Sequence, residues 1–123
     1  MTGSYYFDTY ALIEIAKESQ SYLPYKKDVS MILNKLNIME YVQYLFRSGR
    51  GHSAKETFDE LSKFAVDYDD EILIKAAEMK VKYSRDKVSF IDCIGYFIAK
   101  KNKAKFLTGD DKFKGLDNVE FVK

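Results

Sequence analysis

The sequence has 123 residues, 46% of them hydrophobic, 32% charged and 15% aromatic, which fits one domain over residues 1–123 and leaves little room for a second. One cysteine and one histidine exclude an internal disulfide and a zinc cluster built from these residue types. No run approaches the roughly 20 apolar residues that span a bilayer, and 20 basic against 19 acidic residues exclude the broad basic excess of a protein that coats nucleic acid nonspecifically.

Met1 to Phe7 lack the basic-then-apolar pattern of a signal peptide. With a lone cysteine, Cys93, that suits a reducing compartment, a soluble cytoplasmic protein without membrane contact is expected.

In chain order, Ser4 to Phe7 is short and aromatic between polar neighbours, the pattern of a buried strand. Asp8 and Thr9 are good helix N-caps, and Ala11, Leu12, Ile15 and Ala16 follow at helical spacing. Ser21 to Lys27 holds the only proline, Pro24, and reads as a loop. Val29 to Leu33 fits either a short strand or the opening of a helix. A helix is predicted from about Leu36 to Phe46, ended by Ser48-Gly49-Arg50-Gly51. Ser53 opens an amphipathic helix carrying Phe58, Leu61 and Phe64; Phe64 to Tyr68 either continues it or forms a strand. Asp69 to Lys82 is predicted helical, with Ile72, Leu73, Ala76 and Met79 on one face. Ser89 caps an unusually apolar helix running to about Lys101. Lys105 to Leu107 is a strand, Thr108-Gly109-Asp110-Asp111 a turn, and Val119 to Val122 a last strand.

Short apolar strands alternating with helices indicate an α/β sandwich with a mainly parallel sheet. Such sheets bind ligands beyond the carboxyl ends of their strands. Asp8 directly follows the first strand, and Asp110 follows a later one after only Thr108 and Gly109. Both acids are therefore expected on one edge.

Two further acids stand in apolar surroundings. In the run FIDCIGYFIA from Phe90 to Ala99, Asp92 is the only charge. A buried carboxylate is costly unless paired, hydrogen-bonded or bound to a cation, although Asp92 also reads as a first-turn acid that caps with Ser89. In IMEYVQYLF from Ile38 to Phe46, Glu40 is again alone. Asn37, Glu40 and Gln43 form a polar line on that helix, which reads equally as an Asn37-x-x-Glu40 capping box with a solvent-facing stripe. Asp8 reads as an ordinary cap, and Asp110 and Asp111 as turn residues. Convergence of the four changes the balance. Their repulsion would require protons or a cation, and oxygen-only ligation selects a hard ion such as Mg2+ or Mn2+. Such an ion, with open positions, activates water and stabilises charge on a phosphate.

The order and setting of these acids resemble the PIN-domain family, including the VapC-type toxins. The matching stretches are Tyr6-Phe7-Asp8-Thr9-Tyr10-Ala11-Leu12-Ile13, Asn37-Ile38-Met39-Glu40-Tyr41, Ser89-Phe90-Ile91-Asp92-Cys93-Ile94-Gly95-Tyr96 and Phe106-Leu107-Thr108-Gly109-Asp110-Asp111-Lys112-Phe113. The resemblance covers essentially the whole chain. It implies a PIN-like three-layer α/β/α sandwich and a Mg2+- or Mn2+-dependent endoribonuclease that leaves a 5′-phosphate and a 3′-hydroxyl. Asp8, Glu40, Asp92 and Asp110 would be the catalytic, metal-binding acids, supported by Thr9, Asn37, Ser89 and Thr108, with the Thr108 hydroxyl orienting a carboxylate or water. One departure concerns the last motif: many relatives carry another Asp where this chain has Lys112, which leaves Asp110 and Asp111 both open as metal ligands.

Arg47, Arg50 and Lys55 flank the glycine-containing turn and, with Lys112, are the candidate RNA contacts. His52 reads as a loop residue and Cys93 as a small core residue. Haloacid-dehalogenase chemistry would want Asp-x-Asp, but position 10 is Tyr10; a receiver domain would want an early acidic pair, and Asp8 has no acidic neighbour. The resemblance further implies a toxin with an antitoxin protein and a homodimer. The alternatives are a housekeeping RNA-processing nuclease, or a catalytically idle PIN domain serving as a binding module.

Overall fold

Four parallel strands in the order β2-β1-β3-β4 form the central sheet of the computed structural model, which describes residues 3–123. Met1 and Thr2, the start of the stretch read for a signal peptide, lie outside the described residues. The strands are β1 (Ser4–Phe7), β2 (Ser30–Ile32), β3 (Lys105–Thr108) and β4 (Val119–Phe121). The helices are α1 (Thr9–Ala16), α2 (Lys35–Arg47), α3 (Ala54–Leu61), α4 (Asp70–Lys82) and α5 (Phe90–Lys101).

The period-2 alternation of side chains along a strand divides the core into two layers. Tyr5 and Phe7 of β1 and Leu107 of β3 pack with Leu12, Ile38, Tyr41 and Leu45 from α1 and α2. Tyr6 and Phe106 point to the opposite face and pack with Ile72, Ala76 and Met79 of α4 and Ile94 and Ile98 of α5. Both sheet faces are thus covered, giving the expected three-layer α/β/α sandwich. Burying each such aliphatic side chain stabilises the fold by about 1.5–3 kcal/mol.

Several boundaries differ from the sequence expectation for identifiable reasons. Of Val29 to Leu33, Ser30–Ile32 form a strand, since Ser30, Met31 and Ile32 pair with Ser4, Tyr5 and Tyr6. Helix α2 starts at Lys35 rather than Leu36. Asn34 is its N-cap, its side chain accepting from the backbone N–H of Leu36 and Asn37, and Asn37 completes the capping box by accepting from the Asn34 N–H. The Asn37–Glu40 capping box therefore does not form, and Asn37 is buried rather than facing solvent. Ser53 precedes α3 without a side-chain cap; its hydroxyl donates to the Arg50 carbonyl instead. After α3 the chain makes a 3-10 turn through Ser62–Phe64, and Ala65 forms a single parallel bridge with Leu33. The expected loop around Pro24 is a 3-10 segment, Gln20–Tyr25, anchored by buried Tyr22 and Tyr25. On α4, Ile72, Ala76 and Met79 are buried as expected but Leu73 is exposed, since it lies one step of 100° around the helix from Ile72.

Among the described residues, no helix is long and apolar enough to cross a membrane.

Candidate functional site

The sheet order makes β1 the first strand to have neighbours leaving in both directions, β2 on one side and β3 on the other. That is a topological switch point, where the loops after adjacent strands diverge and open a crevice at their carboxyl ends. Asp8 follows β1, and Asp110 follows β3 across Gly109. Helices α2 and α5 bring Glu40 and Asp92 to the same place. All four acids line one cavity of about 190 Å3.

Asp8 is almost fully buried. Its Oδ1 accepts from the Ala11 N–H at 2.8 Å, which caps α1, and its Oδ2 accepts from the Thr108 hydroxyl at 2.5 Å. Burial, and then the Asp92 charge, push its pKa well above the usual carboxylate range, against the lowering effect of the Thr108 and Ala11 hydrogen bonds. Capping and participation in the site are thus not alternatives at this residue. Glu40, half-buried on α2, accepts a 2.6 Å hydrogen bond from the Thr9 hydroxyl. Asp92 occupies the first turn of α5; the Ser89 hydroxyl accepts from its backbone N–H at 3.0 Å. Burial, then Glu40 and Asp110, raise its carboxyl from 3.8 to about 7, with Ser89 and Lys112 opposing. Asp110 donates its backbone N–H to the Thr108 hydroxyl at 3.0 Å and accepts from the Lys112 N–H at 3.0 Å. The Thr108 hydroxyl therefore bridges the two strand-end acids.

Asp111 turns away from this group. It is exposed, pairs with Lys123 at 2.6 Å, and is absent from the cavity lining. Of the basic candidates, Arg47 lines the cavity with the acids. The Lys112 ammonium lies 4.0 Å from Asp110. Arg50 is stacked over the Tyr44 ring at 5.3 Å, while Lys55 is paired with Asp59 on the surface of α3. Asn37 does not reach the cavity; its side-chain amide donates to the Phe7 carbonyl at 2.9 Å, immediately before Asp8.

Sequence reasoning missed Tyr10, Ile13 and Tyr44, which also line the cavity. A helical signal existed for one of them: Glu40, Gln43, Tyr44 and Arg47 follow the i, i+3, i+4, i+7 spacing of one helix face. Tyr10 also explains Gly109. A Cβ at Gly109 would lie 2.2 Å from the Tyr10 ring and 2.6 Å from the Val122 carbonyl oxygen, so the turn that carries Asp110 has no room for a side chain there.

Among the described residues, no group of three or more His, Cys, Asp or Glu side chains stands in ready-made ligand geometry. The donor set nevertheless suits a hard divalent cation: oxygen atoms only, from four separate elements, with two of the four carboxyls raised toward protonation partly by other acids of the group, Asp8 by Asp92 and Asp110, and Asp92 by Glu40 and Asp110. A larger cavity of about 460 Å3 lies along α4 and α5. Most of its charges are engaged in ion pairs, Lys75 with Glu71, Lys101 with Asp69 and Lys100 with Asp117, so the smaller, acid-lined cavity is the stronger candidate.

An all-parallel α/β sandwich with a carboxylate-lined crevice at its switch point is the class of protein that fold and site define. The PIN domain profile matches residues 5–119. The chain belongs to the PIN-domain family. Among solved structures, it is similar to a toxin-antitoxin complex from Klebsiella pneumoniae (18% identity, 94% of each chain, TM-score 0.73). It is also similar to PAE2754 from Pyrobaculum aerophilum (17% identity, 98% of this chain and 92% of that one, TM-score 0.69). A third likeness is to VapBC2 from Rickettsia felis, bound to a DNA fragment from its promoter (16% identity, 98% of this chain and 99% of that one, TM-score 0.69). At these identities the likeness is one of fold. Comparison with curated proteins gives no match.

Proposed function

We propose that this protein is a metal-dependent endoribonuclease whose Mg2+ or Mn2+ is held by Asp8, Glu40, Asp92 and Asp110. The observation that carries the reading is the convergence of four carboxylates, from β1, α2, α5 and the turn after β3, on one cavity. Bound there, the ion supplies an activated water and stabilises negative charge on the phosphodiester. The chain's own residues orient the acids. The Thr108 hydroxyl holds Asp8, and the Thr9 hydroxyl holds Glu40. Arg47, which shares the cavity, is assigned to an RNA phosphate, with Lys112 as a second contact. Arg50 and Lys55, engaged with Tyr44 and Asp59, are assigned peripheral phosphate contacts.

The biological role is proposed to be that of a toxin restrained by an antitoxin protein in the cytoplasm. Support comes from the fold likeness to the chain solved in a toxin-antitoxin complex from Klebsiella pneumoniae and from an apolar strip beside the acid cavity. Met39 and Phe46 of α2 are more than half exposed, and with Val42 they line a shallow depression that shares Gln43 and Arg47 with the cavity. Exposed apolar surface of this kind suits a partner's helix or extended tail. A homodimer is proposed through α4, where Ile74 and Val81 are exposed on one face, about two turns apart. Sedimentation of Val81→Asp as a dimer indistinguishable from wild type would remove that assignment.

The test of the activity is cleavage of a mixed structured RNA pool with Mn2+, with EDTA, and with Asp92→Asn. The expected result is cutting that needs metal and is lost in the variant. Equal cutting by the variant, or none by wild type with Mn2+, would remove the nuclease assignment.

A further inference from the structure

The four acids sit on four different elements, so something must fix the distances between those elements. One buried side chain touches all of them. Tyr6 lies on β1 two residues before Asp8 and is about 1% exposed. Its hydroxyl accepts a 2.7 Å hydrogen bond from the side-chain amide of Asn34, the N-cap of the helix that carries Glu40. Its ring stacks on Phe106 of β3, the strand that leads to Asp110, at 5.7 Å between centroids and 13° between planes. The same ring and hydroxyl lie against Gly95 of α5, three residues beyond Asp92; a Cβ there would fall 2.6–2.8 Å from them.

We propose that Tyr6 is a positioning residue that sets the spacing of the four acid-bearing elements, with Asn34 and the bare backbone of Gly95 as its required partners. This inference rests on the metal-site reading above.

Three observations favour it over ordinary core packing. A Phe would fill the same apolar space on this face of the sheet, yet the residue carries a hydroxyl that must find a partner when buried. The partner is an asparagine that is itself fully buried and whose Oδ1 already accepts from the Leu36 and Asn37 N–H groups. The β1–α2 junction is thus specified by directional polar bonds, not by volume alone. Asn37 adds a parallel tie through the Phe7 carbonyl. Lastly, α5 approaches so closely at Gly95 that a Cβ there would fall 2.6–2.8 Å from the Tyr6 ring and hydroxyl, so the seat of the helix that carries Asp92 depends on this side chain and on bare backbone opposite it. A side chain that belongs to β1 and packs on β3, α5 and the N-cap of α2 transmits any displacement among them, because protein interiors are close-packed.

The test compares Tyr6→Phe with Ile98→Val, a buried change in the same core that leaves the Tyr6 contacts alone. In metal-free protein, carboxyl-carbon NMR resonances of Asp8, Glu40 and Asp92 are expected to move together in Tyr6→Phe and to stay in place in Ile98→Val. Calorimetric titration with Mn2+ is expected to show affinity weakened about 10-fold in Tyr6→Phe, as for other residues that orient metal ligands. RNA cleavage should lose kcat with KM held within about 2-fold, since no substrate contact is removed. Gly95→Ala, which forces the ring to shift, should move the same three resonances and provides the reading if Tyr6→Phe folds poorly. Resonance changes confined to the neighbourhood of Asn34, or equal changes in Ile98→Val, overturn the proposal. If the three resonances move together while wild type binds no Mn2+, the positioning inference stands and the metal reading fails.

Discussion

Replacing Asp92 by Asn should make the metal-free protein more stable while abolishing its activity. A carboxyl with a folded-state pKa of about 7 and an ordinary value of 3.8 is disfavoured as an anion in the native state. By linkage, the full difference corresponds to about 4 kcal/mol. Asp92 is half-buried rather than sealed, so solvent screening reduces this to about 2 kcal/mol. The sign follows from the raised value. The penalty is absent below the unfolded-state pKa, near pH 4, grows as pH rises, and is complete above pH 7. Asn removes the penalty but forgoes a favourable first-turn charge worth about 0.5 kcal/mol. Urea unfolding in EDTA at pH 8 should therefore show Asp92→Asn more stable by about 1–2 kcal/mol, with the difference vanishing near pH 4. Saturating Mn2+ should reverse the order, because ligand present at about 100 times its Kd adds about 2.7 kcal/mol to the form that binds it. A variant less stable than wild type at pH 8 in EDTA would refute the reasoning and leave Asp92 as a helix-capping acid.

Thr108→Val removes a buried hydroxyl that serves both Asp8 and the Asp110 N–H, so a loss of about 1.5–3 kcal/mol is expected in denaturant unfolding. Thr108→Ser should recover most of it. Asp110→Asn should abolish metal-dependent RNA cleavage while Asp111→Asn stays within about 2-fold of wild type, because only Asp110 lines the cavity and an exposed ion pair contributes little; equal losses in a cleavage assay would return Asp111 to the site. Phe46→Asp should leave thermal stability within about 0.5 kcal/mol, as exposed positions do, yet abolish copurification with the product of the neighbouring open reading frame. Retained copurification would move the partner surface away from α2.

The fold was legible in the sequence wherever hydrophobic period and capping chemistry agreed. Asp8 and Ser89 cap α1 and α5 as their positions predict, and Asp69, the expected first residue of α4, is its N-cap. The ambiguous stretches were those whose conformation is decided by partners remote in sequence. Val29 to Leu33 is too short to show a period, and its Ser30–Ile32 become a strand because β1 offers them a pairing edge. In Phe64 to Tyr68 neither a continued helix nor a full strand forms: Phe64 ends a 3-10 turn and Ala65 makes one bridge to Leu33. Around the site, single charges in apolar runs identified Glu40 and Asp92 because a lone buried carboxylate violates the ordinary pattern. Asn34 and Tyr6 gave no such sign. An N-cap asparagine and a strand tyrosine are both unremarkable locally, and their bond spans 28 residues. Helix phase alone puts Asn37 on a solvent-facing line with Glu40 and Gln43, and does not reveal that the end of β1 lies against it.

Two of the acids stand at helix N-termini, Asp8 as the cap of α1 and Asp92 in the first turn of α5, and magnitudes decide whether those helices suffice to neutralise them. A helix N-terminus stabilises a nearby negative charge by about 0.3–1 kcal/mol. Burial and like-charge repulsion at Asp92 alone oppose it with about 2–4 kcal/mol. The Thr108, Ala11 and Ser89 hydrogen bonds act in the favourable direction, yet the pKa values of Asp8 and Asp92 remain raised. Lys112 also acts favourably on Asp92, but its ammonium is exposed and lies 4.0 Å from Asp110, where water and salt weaken it. The scaffold therefore leaves the acids under-compensated, so uptake of positive charge, as protons or as a divalent cation, is favoured. A cluster serving only to cap helices would have no reason to accumulate that deficit around an open cavity, and this is the physical ground for treating the four acids as one site.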